Sequence, residues 1–280
     1  MGRAAVGVSD TQTREGYLAA VLGLDVPPAL RREAEPEVMR GHDRGVPAEE
    51  MAARRAMILS RAWARMAART APAPTGLRSH TPRAAVAEES VETTHDGFFL
   101  TRRYGLRHPR FDGGQSPQVS RDVFVATDAA LVLPYDPARD RVLLVEQFRM
   151  GPYGRDDPLP WMLEPVAGRV DGGETPEETA RRECIEEAGL ELRALERISS
   201  HYCTPGYSTE FFHLFLGLCD LPEARQGRGG LATENEDIRT HVIGFDRAMG
   251  LVESGEANNG PLVLCLLWLE RERARLRAAG

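Results

Sequence analysis

From residue 13 to about residue 70 the apolar positions recur at helical spacing, which predicts helices over 13–22, 29–40 and 47–69. In the third, Met51, Ile58, Ala62 and Met66 share one face and arginines occupy the others. Pro47 stands at its start, with acidic residues in the first turn. Residues 71–87 are rich in proline and small side chains, the composition of a linker. From about residue 90 the texture changes to β-branched and aromatic runs. These predict strands over 96–107, over 121–136 with a turn at 134–136, and over 141–149. A short extended segment, 161–168, leads into a helix between Thr175 and Gly189. Strands near 192–203, 211–218 and 238–243 follow, and helices near 246–254 and 261–277 close the chain. Strands with interspersed helices predict an α/β or α+β sandwich. The division expected is a helical segment over 1–70, a linker over 71–87 and the main domain over 88–280.

Composition narrows the chemistry. The chain has 280 residues, 28% of them charged, with a formal net charge of −7. That argues against a broad basic surface for nucleic acid. No lysine occurs, so all 35 basic side chains are arginine and Schiff-base or lysine-nucleophile mechanisms are excluded. Any basic side chain that meets a phosphate must be an arginine, whose planar fork holds two oxygens at once. The four cysteines, Cys184, Cys203, Cys219 and Cys265, form no CxxC pair and read as small buried hydrophobes in a reducing compartment. The first ten residues lack the apolar stretch of a signal peptide, and the longest apolar run, 262–269, is too short to span a bilayer. A cytoplasmic protein with no membrane partner is expected.

The informative stretch is 168–190, GRVDGGETPEETARRECIEEAGL. Thr175 is a good N-cap, Pro176 takes the first helical position, Glu178 completes a capping box, and Gly189 is a natural stop. Ala180, Cys184, Ile185 and Ala188 form the face expected to be buried. Glu183 and Glu187, four apart, project from one side with roughly 5–6 Å between Cβ atoms. Like charges at that spacing disfavour a helix, and Glu186 and Glu187 also face the unfavourable end of its dipole. A bound cation would reverse each of these effects, and hard divalent cations take oxygen ligands. The alternative for a pair of glutamates alone is a solvated acidic face.

The pattern is longer than a pair. Gly168, Glu174, Arg182, Glu183, Glu186, Glu187, Gly189 and Leu190 match G-x5-E-x7-R-E-U-x-E-E-x-G-U, so the chain resembles the Nudix hydrolases, with Cys184 where a larger aliphatic is usual. Over roughly 95–270 it is similar to the ADP-ribose pyrophosphatase branch, whose marks include Pro205, fifteen residues beyond the box. Segments 145–149 and 161–168 and the loop 230–243 also resemble that branch. The resemblance implies an α/β/α sandwich with a mixed sheet, preceded here by the helical segment. Such fusions resemble bacterial proteins linked to tellurite resistance.

It implies roles as well. Glu183, Glu187, Glu236 and the carbonyl of Ala167 would ligate Mg²⁺ or Mn²⁺. Glu186 would share a metal or stand just behind it as part of the catalytic set, and Glu174 would fix the loop against the helix. Glu234 would orient or deprotonate the attacking water. Arg121 and Arg149 would meet phosphates or adenine, Glu164 would lie near the terminal ribose, and Phe98 or Phe99 would stack on adenine. For Arg121, Arg149, Glu164 and the phenylalanines, a surface ion pair or a core aromatic is the competing reading. The implied reaction is metal-assisted hydrolysis of ADP-ribose to AMP and ribose 5-phosphate, in a homodimer. The alternatives are another nucleoside diphosphate sugar such as GDP-mannose, a sensor that binds without cleaving, or an interaction protein whose helices are the active part.

Overall fold

The computed structural model describes residues 13–222, 227–230 and 236–279, and the chain divides into two compact units. One unit takes in the described residues up to Asp128 together with 171–173 and 202–210. Its helices are α1 (Arg14–Leu22), α2 (Pro28–Asp43), α3 (Ala48–Ala52) and α4 (Arg55–Thr70). The Thr13 hydroxyl accepts from the Gly16 N–H at 3.0 Å and so starts α1. The apolar stripes of these helices meet in one cluster, with Tyr17, Leu22, Leu30, Val38, Met51, Ile58 and Ala62 all buried. The helix read as continuous over 47–69 is interrupted at Ala53 and Arg54. Periodicity could not reveal this break, because Met51 and Ile58 are seven apart and keep one face across it. Arg54 there donates to the Asp96 carbonyl at 2.7 Å, a contact made far along the chain.

The same unit holds a three-stranded antiparallel sheet of β1 (Ala87–Asp96), β2 (Leu100–Arg107) and β3 (Val119–Phe124). The strand expected over 96–107 therefore begins only at Leu100, and the residues before it turn back onto β1. β1 was not foreseen, because its run of Glu, Thr and Ser lacks an apolar alternation and is mostly exposed. The segment 121–136 is two strands rather than one. β3 ends at Phe124 and is joined to the 202–210 loop by Phe124 N–H to Tyr207 O at 2.8 Å.

The other unit covers 129–170, 174–201 and the chain from Phe211 onward. Its mixed sheet has the order β10 (Arg228–Gly229), β11 (Ile238–Gly244), β5 (Arg141–Phe148), β4 (Asp128–Asp136), β9 (Phe211–Leu218) and β8 (Ala194–Tyr202). β6 (Trp161–Glu164) pairs with β5, and β7 (Val166–Arg169) pairs with β4. The switch of partner falls at Pro165, which has no N–H to give to a ladder. Pro134 lies inside β4, and the turn follows Asp136 rather than preceding it. The buried Asp136 carboxylate accepts from the N–H groups of Ala138 and Arg139, both at 3.0 Å. A short helix, α5 (Met150–Gly154), is too brief to show a period in the sequence.

The central strands carry apolar residues on both faces, as strands covered on both sides require. Leu131, Leu133, Tyr135 and Leu144 enter a core with α7 (Phe245–Ser254) and α8 (Gly260–Ala279), including Leu262, Leu266 and Leu269. Leu143 and Val145 alternate with them and are equally buried. α6 (Pro176–Ala188) packs against β7 and β10. No described helix is long and apolar enough to cross a membrane. Truncating the central side chain in Leu144→Ala is expected to cost about 2–5 kcal/mol of stability. In urea unfolding this appears as a lower midpoint with an unchanged slope.

Candidate active site

α6 is built as its sequence dictates. The Thr175 hydroxyl accepts from the Glu178 N–H at 3.2 Å, and the Glu178 carboxylate accepts from the Thr175 N–H at 2.7 Å. Gly189 takes a left-handed conformation with φ 59°, and its N–H and that of Leu190 close the helix onto the carbonyls of Ile185 and Cys184. Ala180 and Cys184 are buried as expected, but Ile185 is 55% exposed. The buried stripe runs Ala180, Cys184, Glu187, at i, i+4 and i+7, and so carries a carboxylate into the interior where an aliphatic was read. Cys203 departs from expectation too: it is exposed, in the turn after β8, whereas Cys184, Cys219 and Cys265 are buried.

Glu187 is 2% exposed, and burial pushes its carboxyl up to about 8, with Glu183 and Glu236 adding to the effect. Its Oε2 accepts from the Ala167 N–H at 3.2 Å, so it lies along β7. Glu183 lies along the same strand: a Cβ on Gly168 would stand 1.8 Å from its Oε1. Burial raises the Glu183 carboxyl, Arg182 opposes this, and Glu186 and Glu236 reinforce it. Arg182 spans the cluster. Its Nε meets Glu174 at 3.0 Å, and its Nη1 meets Glu183 at 2.6 Å and Glu186 at 3.0 Å. The hydrogen bonds to Glu174, first among the causes, hold this guanidinium firmly protonated. Glu174 also accepts from the Thr179 hydroxyl at 2.7 Å, so it links the loop to the helix.

β10 closes the far end of α6. A Cβ on Gly229 would fall 1.7 Å from the Glu187 carbonyl oxygen, so only a glycine lets this strand lie there. The approach brings Glu236 within electrostatic reach of Glu183 and Glu187. Glu234 lies outside the described residues.

At the end of β5, Arg149 Nε donates to Glu164 Oε2 at 2.7 Å, and burial raises the Glu164 carboxyl. Next to this pair Phe148 stacks edgewise on Trp161 at 5.5 Å and leans on Tyr153 at 5.8 Å, all three exposed. The sequence reading missed this cluster. Its signal was three aromatics around Arg149, but only the pairing of β5 with β6 brings Phe148 and Trp161 together. Phe99, Arg121 and Pro205 belong to the other compact unit. There Phe99 is 51% exposed, with its ring 5.0 Å from Phe98 and 5.1 Å from Phe124. Arg121 is exposed and donates to the Ser120 carbonyl at 2.9 Å, and Pro205 is exposed in its turn.

Among the described residues no group of three or more His, Cys, Asp or Glu side chains is arranged ready to hold a metal ion. The chemistry of Glu183, Glu186, Glu187 and Glu236 nonetheless fits a hard divalent cation. The donors are all oxygens, and at Glu183 and Glu187 burial and the neighbouring carboxylates both act against negative charge.

The NUDIX domain model matches residues 125–261. An ADP-ribose pyrophosphatase of Escherichia coli strain K12 is 41% identical over 186 residues, 66% of this chain and 88% of that one. This chain belongs to the Nudix family. A GDP-mannose pyrophosphatase of Pectobacterium atrosepticum is 32% identical to it over 171 residues, 61% of this chain and 86% of that protein. A crystal structure of an ADP compounds hydrolase shares the Nudix fold at a TM-score of 0.54 and 20% identity, covering 69% of this chain and 96% of that one.

Two outcomes follow for this Nudix hydrolase. Gly168→Ala must drive the flexible Glu183 carboxylate off β7. Turnover should fall about 100-fold, as for a group misplaced by an ångström, while the thermal midpoint barely moves. The second concerns pH. Without divalent cations, folded Glu187 keeps its proton to about 8, whereas the unfolded carboxyl loses it near 4.5. Its stabilising contribution is therefore complete below 4.5 and is lost as pH rises through about 8. Denaturant titrations in chelator should show wild type losing stability relative to Glu187→Gln across that window.

Proposed function

We propose that this chain hydrolyses the pyrophosphate of ADP-ribose, giving AMP and ribose 5-phosphate, with Mg²⁺ as its natural cofactor and Mn²⁺ as a substitute. The observation that carries the reading is the pair of α6 carboxylates, buried Glu187 and half-buried Glu183, laid against Ala167 and Gly168 of β7. The substrate follows from the 41% identity to a protein named ADP-ribose pyrophosphatase, against 32% to one named GDP-mannose pyrophosphatase. The latter relative keeps hydrolysis of another nucleoside diphosphate sugar as the second reading.

Glu183, Glu187 and Glu236, with the backbone of Ala167, would hold the cation, and Glu186 would complete the set. The bound cation would supply charge neutralisation for the pyrophosphate and acidify a water. Arg182 keeps Glu183 and Glu186 in place by bonding both, and it ties them to Glu174. Glu234 would orient the attacking water or take its proton. Arg149, already oriented by Glu164, would turn a fork toward a phosphate, and Arg121 would serve the phosphates or the adenine. Glu164 would stand near the terminal ribose, while Phe99 and Pro205 would border the adenine side.

The enzyme is read as a cytoplasmic homodimer with no nucleic-acid or membrane partner. Its Nudix domain is assigned to 88–280, joined through 71–87 to the helical segment. The test is AMP release from ADP-ribose with Mg²⁺, beside Glu187→Gln. Wild type should release AMP, prefer ADP-ribose to GDP-mannose, and lose at least about 100-fold in the variant, the scale of removing a group made for the transition state. Binding of ADP-ribose without any cleavage would overturn the enzyme reading.

A further inference from the structure

Among the described residues of the helical unit, two buried arginines face a single buried carboxylate. Arg61 on α4 is 2% exposed and Arg102 on β2 is 6% exposed, and between them lies Glu37 of α2 at 3%. Glu37 Oε1 accepts from Arg61 Nε at 3.0 Å and Nη2 at 2.5 Å. Its Oε2 makes no hydrogen bond among the described residues, since Arg102 Nη2 stands 3.7 Å away and Arg65 Nη1 3.8 Å away. Arg65 bonds Glu33 through Nε at 2.8 Å, but Glu33 is already held by Arg69 at 2.5 Å. Arg40 joins from α2. Burial lowers its pKa and the charges of Arg102 and Arg65 lower it further.

Among the described residues, five buried N–H positions in this cluster have no hydrogen-bond partner: Arg61 Nη1, Arg65 Nη1, Arg102 Nε and Nη2, and Arg40 Nε. A buried lysine or histidine would relieve such an excess by losing its proton, but arginine does not. Three guanidinium groups, those of Arg61, Arg65 and Arg102, thus stand within 4 Å of Glu37, and Arg40 lies within electrostatic reach of it. Water can accept from the orphaned donors, but it leaves the charge uncompensated.

We propose that Arg40, Arg61, Arg65 and Arg102 form a binding site for a tetrahedral oxyanion of the phosphate class, held beside Glu37. A phosphate dianion presents several acceptor oxygens to forks approaching from different sides, and its charge nearly balances the cluster. The site lies on α2, α4 and β2, outside the 125–261 match to the Nudix model, and is independent of the hydrolytic reading. Free phosphate and the phosphoryl group of a nucleotide offer the same chemistry, and the experiment separates them.

The full chain, in chelator so that metal-held phosphate is silent, is titrated with inorganic phosphate, AMP or chloride at matched ionic strength. Affinity is read by calorimetry and the thermal midpoint by fluorimetry. Phosphate should raise the midpoint by several degrees where chloride does not. Arg102→Gln should weaken phosphate binding at least about tenfold, the worth of a charge-assisted bond. Glu37→Gln removes the competing carboxylate and should bind phosphate more tightly, recovering on its addition any stability it has lost. This second variant decides the matter if the first fails to fold. AMP acting as well as phosphate marks an open site for a phosphoryl group, and phosphate alone marks an enclosed one for the free ion. No shift beyond chloride in any of the proteins, or a shift undiminished in Arg102→Gln, overturns the proposal.

Discussion

Arg182 donates to Glu174, Glu183 and Glu186 at once, from the middle of a helix that also turns Glu187 inward. Without such a cation, carboxylates packed this closely would repel one another off the helix or keep their protons. One guanidinium cannot neutralise four, and the imbalance appears at Glu187, whose carboxyl burial pushes up to about 8. The surrounding frame, with its two-faced strands β4 and β5 and the switch of partner at Pro165, sets β7 where these carboxylates must lie. Gly168 and Gly229 are the two points at which backbone comes too near α6 for any side chain.

Much of this was legible in the chain. The capping box, the stop at Gly189 and the spacing of Glu183, Glu186 and Glu187 are local features, and local physics places them. The strands of the larger unit announced themselves through β-branched runs. What escaped the sequence was tertiary. The helix break at Arg54 goes with a contact to Asp96, and β1 shows no alternation because it is exposed on both faces along nearly its whole length. Ile185 and Glu187 exchanged places because an apolar residue was assumed to face inward, whereas the stripe through Ala180 and Cys184 ends on a glutamate. Arg182 was visible as a motif position, but that it links three carboxylates depends on where the loop places Glu174. The pairing of Phe148 with Trp161 likewise exists only once β5 and β6 are in register.

The two units present the same physical problem with opposite signs. In one, carboxylates outnumber the arginine that holds them. In the other, guanidinium groups outnumber the carboxylate between them. A chain without lysine has limited means of relaxing the second case, since arginine does not give up its proton. Both arrangements call for a small partner of opposite charge, a hard cation for α6 and a phosphate-class anion for the helices. Net charge of −7 reveals neither, because it averages over positions whose local charge is what matters.

The central claim is that the α6 carboxylates await a divalent cation. Calorimetric titration of Mg²⁺ into the cation-free chain, beside Glu187→Gln, tests it most directly. Saturable binding by wild type, weakened at least about tenfold in the variant, is the predicted result. Equal binding by both proteins, or none by wild type, would contradict it.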